Sequence, residues 1–122
     1  MAKGYVKFQT PKDLSDKLLQ LVEMAKNSGK IRKGLNESTK AIERSIAQLV
    51  IVAEDVEPEE IVMHIPPLCE EKNIPYAFVP SKLELGRAAG IEVGSAAISI
   101  TDAGDGKDLI KEVLKRLKEI GK

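Results

Sequence analysis

Polar side chains of several chemical kinds stand close together near residue 35. Asn36 supplies an amide, Glu37 a carboxylate and Lys40 an ammonium group. Guanine presents an acceptor, O6, and two donors, N1 and N2, so an amide or a lysine can donate to the first while a carboxylate accepts from the others. Neighbouring basic groups can bind the phosphate of the same nucleotide. The pattern predicts a base-reading site formed by Lys33, Gly34, Asn36, Glu37, Lys40 and Arg44.

The same segment also fits an ordinary helix start without any ligand. Asn36 is a residue type that caps helices, Glu37 complements the positive end of the helix dipole, and Lys40 follows one turn later. Both interpretations place the segment at the N-terminus of a second helix. The residues alone leave the choice between them open.

Three other polar motifs are weaker candidates for chemistry. The segment Asp102 to Asp108 lacks the spacing of a phosphate-binding loop, and it has glycines where a calcium loop needs oxygen ligands. A turn that caps the last helix is therefore expected. His64 has no cysteine or second histidine in register, and Cys69 has no nearby general base, so we expect a half-buried or surface histidine and a buried thiol.

Composition excludes several classes of protein. The chain has 122 residues, of which 43% are hydrophobic, and this size predicts one domain spanning residues 1–122. Nineteen basic and nineteen acidic residues cancel, so any binding of RNA must be local rather than driven by net charge. A single cysteine and a single histidine argue against a disulfide framework and against most metal sites, and we expect no cofactor.

The hydropathy pattern contains no long apolar segment. No run of about 18 apolar residues occurs, and Met1 to Thr10 lacks the hydrophobic stretch of a signal peptide. The expected location is therefore the reducing cytoplasm, with no membrane partner.

Charge is nevertheless distributed unevenly along the sequence. Between Ala25 and Gln48 there are six basic residues and two acidic ones, whereas Glu54 to Glu71 contains seven acids and no lysine or arginine. Ordinary solvated helix surface is one explanation of this pattern. A local basic site beside an acidic flank is the other.

Helical and extended patterns alternate along the whole chain. A threonine, a proline and an acid at Thr10 to Asp13 predict a helix start capped by Thr10, and Ser81 with Glu84 forms a capping box. Helices are predicted from there to Asn27, from Asn36 through Ile46, from Pro58 through His64, from Pro66-Pro67 to Lys72, from Ser81 to Gly90 and from Lys107 to Ile120. Strands are predicted at Lys30–Lys33, Leu49–Ala53, Pro75–Val79 and Ala96–Ile100. This order favours an α/β fold with a sheet between helical layers.

Four blocks of the sequence resemble the kink-turn-binding ribosomal proteins of the L7Ae family. They are, in order, GLNESTKAIERS at 34–45, VIVAEDVEPEEIVMHIPPLCEEKNIPY at 50–76, VPSKLELGRAAG at 79–90 and IEVGSAAISI at 91–100. The resemblance covers nearly the whole chain. It implies a three-layer α-β-α sandwich around a mixed four-stranded sheet, and it implies binding of RNA bent sharply at tandem sheared G·A pairs beside a short bulge.

The resemblance also implies roles for individual residues. Asn36, Glu37 and Lys40 would contact the guanines of the sheared pairs. The loop Ile91-Glu92-Val93 would cover the bulge, although the residues alone favour a plain connection that places Ile91 and Val93 on the core. The pocket of the extruded bulge nucleotide would be lined by Lys33, Glu57, Ile61 and Lys82.

Family membership would make the protein a non-enzymatic assembly factor. The implied RNA partners are ribosomal RNA, box C/D and H/ACA guide RNAs and, in archaea, ribonuclease P RNA, with a Nop5-type scaffold and the fibrillarin methyltransferase in box C/D particles. The loop triplet looks like the archaeal form of the family, which implies tolerance of kink-loops. We expect a monomer in the absence of RNA. The alternative is a small α/β enzyme or metabolite-binding domain with a pocket at the strand ends, but no glycine-rich fingerprint or nucleophile motif supports it.

Overall fold

A computed structural model of the chain describes residues 4–6 and 8–120. Over these residues the chain forms five α-helices and four β-strands. The helices are α1 (Lys12–Ser28), α2 (Leu35–Glu43), α3 (Ile65–Lys72), α4 (Lys82–Ala88) and α5 (Lys107–Ile120). The strands are β1 (Lys30–Lys33), β2 (Leu49–Ala53), β3 (Tyr76–Val79) and β4 (Ala97–Asp102). The alternation expected from the sequence is confirmed.

The four strands form one mixed sheet in the order β1-β4-β2-β3. β2 lies in the interior, parallel to β3 and antiparallel to β4, while β1 forms an edge antiparallel to β4. All five residues of β2 are buried, as its continuous run of aliphatic residues predicts. β1, with the sequence KIRK, is mostly exposed, and its charges protect the open edge of the sheet.

Helices cover both faces of the sheet and make the three-layer sandwich that was expected. α1 packs against α4 and α5, and α2 packs against α3. Alternate residues of β4 from Ala97 to Ile100 point to opposite faces and are all fully buried, so each face is covered by apolar side chains of the helices. Apolar residues of β2, β3, β4 and the helices above and below them form a single buried cluster, and the partly buried Ile31 of β1 packs against it.

Two predicted helix starts are shifted in the structure. Pro11, rather than Thr10, takes the cap position of α1, and the buried hydroxyl of Thr10 has no hydrogen-bond partner among the described residues. α2 begins at Leu35 after Gly34, so Asn36 is its second residue and not its cap. The reason is the pairing of Gly34 with β4, because its N–H donates to the Ala97 carbonyl at 3.0 Å and fixes where the helix starts.

Two other helix predictions are too long. α2 ends at Glu43, and Ser45 has a φ of 58°, so Ile46 leaves the helix and is 41% exposed instead of continuing the apolar stripe. The helix predicted from Pro58 through His64 is only a 3-10 turn at Glu59–Ile61. α3 then begins at Ile65, with prolines in its first turn as Pro66-Pro67 predicted.

Candidate functional site

Four separate chain segments lie next to one another at one end of the strands. Lys33 pairs with Ile98, Val52 with Ala97, and Ala53 with Val79, so the ends of β1, β2 and β3 lie at the same end of the sheet as the start of β4. The loops and helix starts that follow these strand ends are therefore neighbours in space. We call this region the site edge, and it consists of residues 33–37, 53–58, 80–82 and 90–96.

The start of α2 is built on a glycine that no other residue type can replace without strain. Gly34 has φ 91° and ψ 167°, a backbone region essentially restricted to glycine. No atom lies within 4 Å of the position that a Cβ would take, so the requirement is conformational and the space above Gly34 is open. No side chain of the described residues caps this helix start, so its positive end is available to a ligand.

Glu37, on the first turn of α2, lies between two basic side chains, one on α2 and one on β1. Its carboxylate lies 3.5 Å from Lys40 Nζ and 3.7 Å from Arg32 Nη1, and all three side chains are about half exposed. Arg32 was not among the predicted site residues, although its position in the basic strand KIRK next to Lys33 was the available signal. Glu37, Lys40 and Arg44 share one face of α2, but Arg44 lies at its C-terminal end, away from the site edge.

The loop that follows β2 carries Glu57 and leads into the 3-10 turn. The Glu54 N–H donates to the Val79 carbonyl at 2.8 Å, and Asp55 Oδ1 accepts from the Lys82 N–H at 2.9 Å. Glu57 is exposed, and the Ile61 side chain is 40% exposed. These contacts bring the predicted bulge-pocket residues Lys33, Glu57, Ile61 and Lys82 to the site edge or to the turn beside it.

The loop at 90–96 lies across α4. The Ile91 N–H donates to the Gly86 carbonyl and the Ser95 N–H to the Lys82 carbonyl, each at 2.9 Å. A Cβ on Gly86 would lie 2.1 Å from the Val93 carbonyl oxygen, so only a glycine allows the loop to pass this close. Ile91 is partly buried against the core, whereas Val93 is 66% exposed. Ile91 therefore packs as the plain-connection interpretation predicts, Val93 does not, and a role of Val93 in covering a nucleotide stays a prediction.

Charges of both signs meet at the site edge. Burial and the neighbouring Asp55 carboxylate raise the pKa of Glu54 above its ordinary value. Basic groups at the end of β1 and on α2 and α4 can bind phosphates, while exposed carboxylates and the amide of Asn36 can pair with base edges. The arrangement suits a ligand that presents phosphates and polar base edges at the same time.

The structure also shows where the three weaker candidates of the sequence lie, namely the segment Asp102 to Asp108, His64 and Cys69. Residues 104–106 form a 3-10 turn in which Asp102 Oδ1 accepts from the Gly104 N–H at 2.9 Å, as the turn interpretation predicted. His64 is exposed and lies 3.0 Å from the Thr39 hydroxyl. Cys69 is fully buried, and burial raises the pKa of its thiol to about 12, so it is the inert thiol that was expected.

Three further observations concern metals, membranes and grooves in the part of the chain that the structure describes. No group of three or more potential metal-ligating side chains occurs there. No helix among residues 4–6 and 8–120 is long and apolar enough to cross a membrane. Two open grooves of about 630 and 660 Å³ lie along α1 and α4, and their lining residues include Asp16 and Glu84 but no histidine or cysteine.

Two comparisons with known proteins show what the chain is similar to. The sequence model of the family described as "Ribosomal protein L7Ae/L30e/S12e/Gadd45 family" matches residues 16–110. Among solved structures, the Giardia lamblia 15.5kD RNA binding protein is similar over 97% of this chain and 98% of its own, with 34% sequence identity and a TM-score of 0.91.

Proposed function

The chain belongs to the ribosomal protein L7Ae/L30e/S12e/Gadd45 family, as its sequence blocks predicted, and on this premise we propose that it is a non-catalytic RNA-binding protein that recognises kink-turns. The family match covers most of the chain, and the similar structure is that of a protein described as RNA-binding. The observation that carries the proposal is the site edge itself. It brings the amide of Asn36 and the carboxylate of Glu37 to the same end of the sheet as a loop and a helix start that are more than 15 residues away in sequence.

A bent RNA is the form that this surface can read. The major groove of regular A-form RNA is too deep and narrow for side chains, so guanine edges become accessible only where the helix is distorted. Tandem sheared G·A pairs at a sharp kink provide that distortion. Asn36, Glu37 and Lys40 lie on the first two turns of α2, where they can pair with the exposed guanine edges while the positive helix end faces the backbone.

An extruded nucleotide would occupy the space between α2 and α4. Lys33 and Lys82 supply donors for its phosphate and base, Ile61 supplies an exposed apolar surface, and Glu57 accepts from the base or sugar. In this role Glu57 faces donors rather than a phosphate, so an acidic residue at an RNA-binding surface causes no repulsion. Val93 would cover the unstacked base from the loop at 90–96.

Membership of the family suggests which RNAs and proteins are the cellular partners. We propose binding to kink-turns in ribosomal RNA and in box C/D and H/ACA guide RNAs, with a Nop5-type scaffold and fibrillarin joining in box C/D particles. A role in ribonuclease P, tolerance of kink-loops, a cytoplasmic location and a monomeric state in the absence of RNA complete the proposal.

A comparison of three RNAs tests the function. Filter binding should retain a kink-turn RNA and should not retain a straight duplex of equal length at the same protein concentration. The third RNA keeps the bulge but replaces the sheared G·A pairs by Watson–Crick pairs, and we expect its binding to fall to that of the duplex. Equal retention of all three would show that the protein binds RNA without recognising the kink, and the proposal would be wrong.

A further inference from the structure

Two side chains that are not among the predicted RNA-binding residues, Tyr5 and Asp55, fix the loop after β2 from opposite sides. The end of β2 and the following loop, residues 53–56, contact the N-terminal segment on one side and the start of α4 on the other. Residue 57, a predicted bulge-pocket residue, follows immediately. The conformation of this short segment therefore determines where Glu57 stands relative to Lys82.

Tyr5 holds the segment from inside the protein. Its hydroxyl donates to the Ala53 carbonyl at 2.7 Å and accepts from the Val56 N–H at 3.2 Å, so one hydroxyl bridges two backbone groups three residues apart. The side chain is only 1% exposed, and its ring lies 6.3 Å from that of Phe78. Because water has no access, a variant without this hydroxyl would leave two buried backbone groups to find new partners.

Asp55 holds the segment from the outer side. Its carboxylate accepts from the backbone N–H of Lys82, the first residue of α4, at 2.9 Å. Asp55 is exposed, so this contact adds little to the stability of the fold. The contact does fix the distance between the loop after β2 and the backbone of Lys82.

The start of α4 is in turn hydrogen-bonded to the loop at 90–96. The Lys82 carbonyl accepts from the Ser95 N–H at 2.9 Å, and a Cβ on Gly94 would lie only 3.0 Å from Lys82 Cγ. A continuous series of contacts thus runs from Tyr5 through residues 53–56 and Asp55 to Lys82 and the loop at 90–96. Two of the four predicted bulge-pocket residues, Glu57 and Lys82, are attached to this series.

We propose that Tyr5 and Asp55 are positioning residues for recognition of the extruded nucleotide, which hold the loop after β2 against α4 so that Glu57 and Lys82 are already in place before RNA binds. This inference rests on the proposed function. Neither residue contacts the RNA. Each holds the pocket residues in place in the free protein, so RNA binding does not lose the free energy that ordering the pocket would otherwise require.

The test combines protein variants with a change in the RNA. Tyr5→Phe removes only the hydroxyl, Asp55→Ala removes the acceptor, and Asp55→Asn keeps an oxygen that can accept from the Lys82 N–H. Affinities are measured for a kink-turn RNA and for the same RNA with an abasic residue at the extruded position. All measurements are made where each variant is folded by circular dichroism.

Tyr5→Phe and Asp55→Ala should each weaken binding of the intact kink-turn by about tenfold, the effect of losing one well-placed contact. Binding of the abasic RNA should change by less than about twofold, because nothing then occupies the pocket. Asp55→Asn should restore the affinity of the wild type. Equal losses on both RNAs, no loss on the intact RNA, or an Asp55→Asn variant as weak as Asp55→Ala would each overturn the inference.

Matched controls come from the opposite parts of the molecule. Tyr76→Phe removes a hydroxyl that donates to Glu70 Oε2 at 2.7 Å, and Asp102→Ala removes a carboxylate that accepts from the Gly104 N–H at 2.9 Å. Both should bind both RNAs like the wild type. If Tyr5→Phe fails to fold, the two Asp55 variants decide the outcome by themselves.

A second measurement separates this inference from the proposed function. In the protein without RNA, hydrogen exchange at the Lys82 and Val56 amides should be slow in the wild type, faster at Lys82 in Asp55→Ala and faster at Val56 in Tyr5→Phe. Unchanged exchange would overturn the inference. A wild type that binds no kink-turn RNA overturns both proposals, whereas a wild type that binds it, with variants that bind equally well, overturns this one alone.

Discussion

Glu37 contributes little to the stability of the fold, and we expect it to contribute more to RNA binding. Its contacts with Lys40 and Arg32, at 3.5 and 3.7 Å, are half exposed, and such pairs contribute about 0 to 1 kcal/mol to stability. Its favourable place in the first turn of α2 adds about 0.3 to 1 kcal/mol. A carboxylate that accepts from guanine donors away from bulk water contributes more, so the two roles can be separated by measurement.

Replacing Glu37 by alanine should weaken binding of kink-turn RNA by about 1 to 3 kcal/mol, because the guanine donors lose their acceptor. The melting temperature should barely change. Filter binding and thermal unfolding measure the two quantities. Glu43→Ala, at an exposed acid on the last turn of the same helix, is the control and should leave both unchanged. A lower melting temperature with full RNA affinity would mean that Glu37 serves only the helix.

Cys69 illustrates a residue whose chemistry is suppressed by packing. Burial raises the pKa of its thiol from an ordinary 9.0 to about 12. The folded state therefore keeps the thiol neutral where the unfolded state ionises, so the stability from this group is complete below pH 9.0 and is lost as pH rises towards about 12. Between these values the free energy of unfolding of the wild type should fall more steeply with pH than that of Cys69→Ala, as urea unfolding would show.

The same burial predicts a slow reaction with thiol reagents. At about pH 8 Cys69 should react with a disulfide reagent much more slowly in the folded protein than in denaturant, since it is both inaccessible and protonated. Equal rates in the two states would contradict the buried position of the thiol.

Among the elements, α2 owes its starting point to the conformation of Gly34. With φ 91° and ψ 167°, a side chain at this position costs about 1 to 3 kcal/mol even though no neighbouring atom is in the way. Gly34→Ala should lower the free energy of unfolding by that amount and weaken RNA binding by tilting the first turn of α2. Gly4→Ala, where a Cβ makes only an ordinary contact at 3.5 Å, should have a small effect. Equal effects of both changes in urea unfolding would argue against the strain.

The loop at 90–96 combines a buried anchor with an exposed apolar group. Replacing Ile91-Glu92-Val93 by Val-Ser-Arg should weaken kink-loop binding more than kink-turn binding, because a kink-loop has no second stem to compensate for a lost cover over the bulge. Since Val93 is 66% exposed and Ile91 packs on the core, Val93→Arg alone should reproduce most of the difference. Gel shifts on matched RNAs measure it. Equal losses on both RNAs would show that the loop does not set selectivity.

For the whole molecule, the balance of charge limits how RNA can be bound. The formal net charge is zero, and the basic groups near the start of α2 stand beside carboxylates at the site edge. We expect about three to five phosphate contacts, and therefore a shallow dependence of affinity on salt. Filter binding over a range of potassium chloride concentrations measures the slope. Release of about ten or more counterions would contradict a compact, base-reading site.

Sequence alone was sufficient for most of the elements and for the family. β1 and β2 have the predicted bounds, α1 and α5 lie where their apolar periodicity indicated, and α4 begins after its predicted cap Ser81. The order of elements predicted helices on both sides of a sheet. These features depend on contacts between residues a few positions apart, which a local pattern records. The family resemblance identified the chain segments of the candidate site. The roles of its residues toward RNA stay predictions.

Only the tertiary structure decided how those segments are held together. The start of α2 follows Gly34 because β1 pairs with β4, and Ile91 and Val93 differ in exposure because the loop crosses α4 at Gly86. Tyr5 and Asp55 gave no signal in the sequence, since their partners lie 48 and 27 positions away. Such contacts depend on strand register and on which distant segments meet at one edge of the sheet, and a local pattern of residues contains neither.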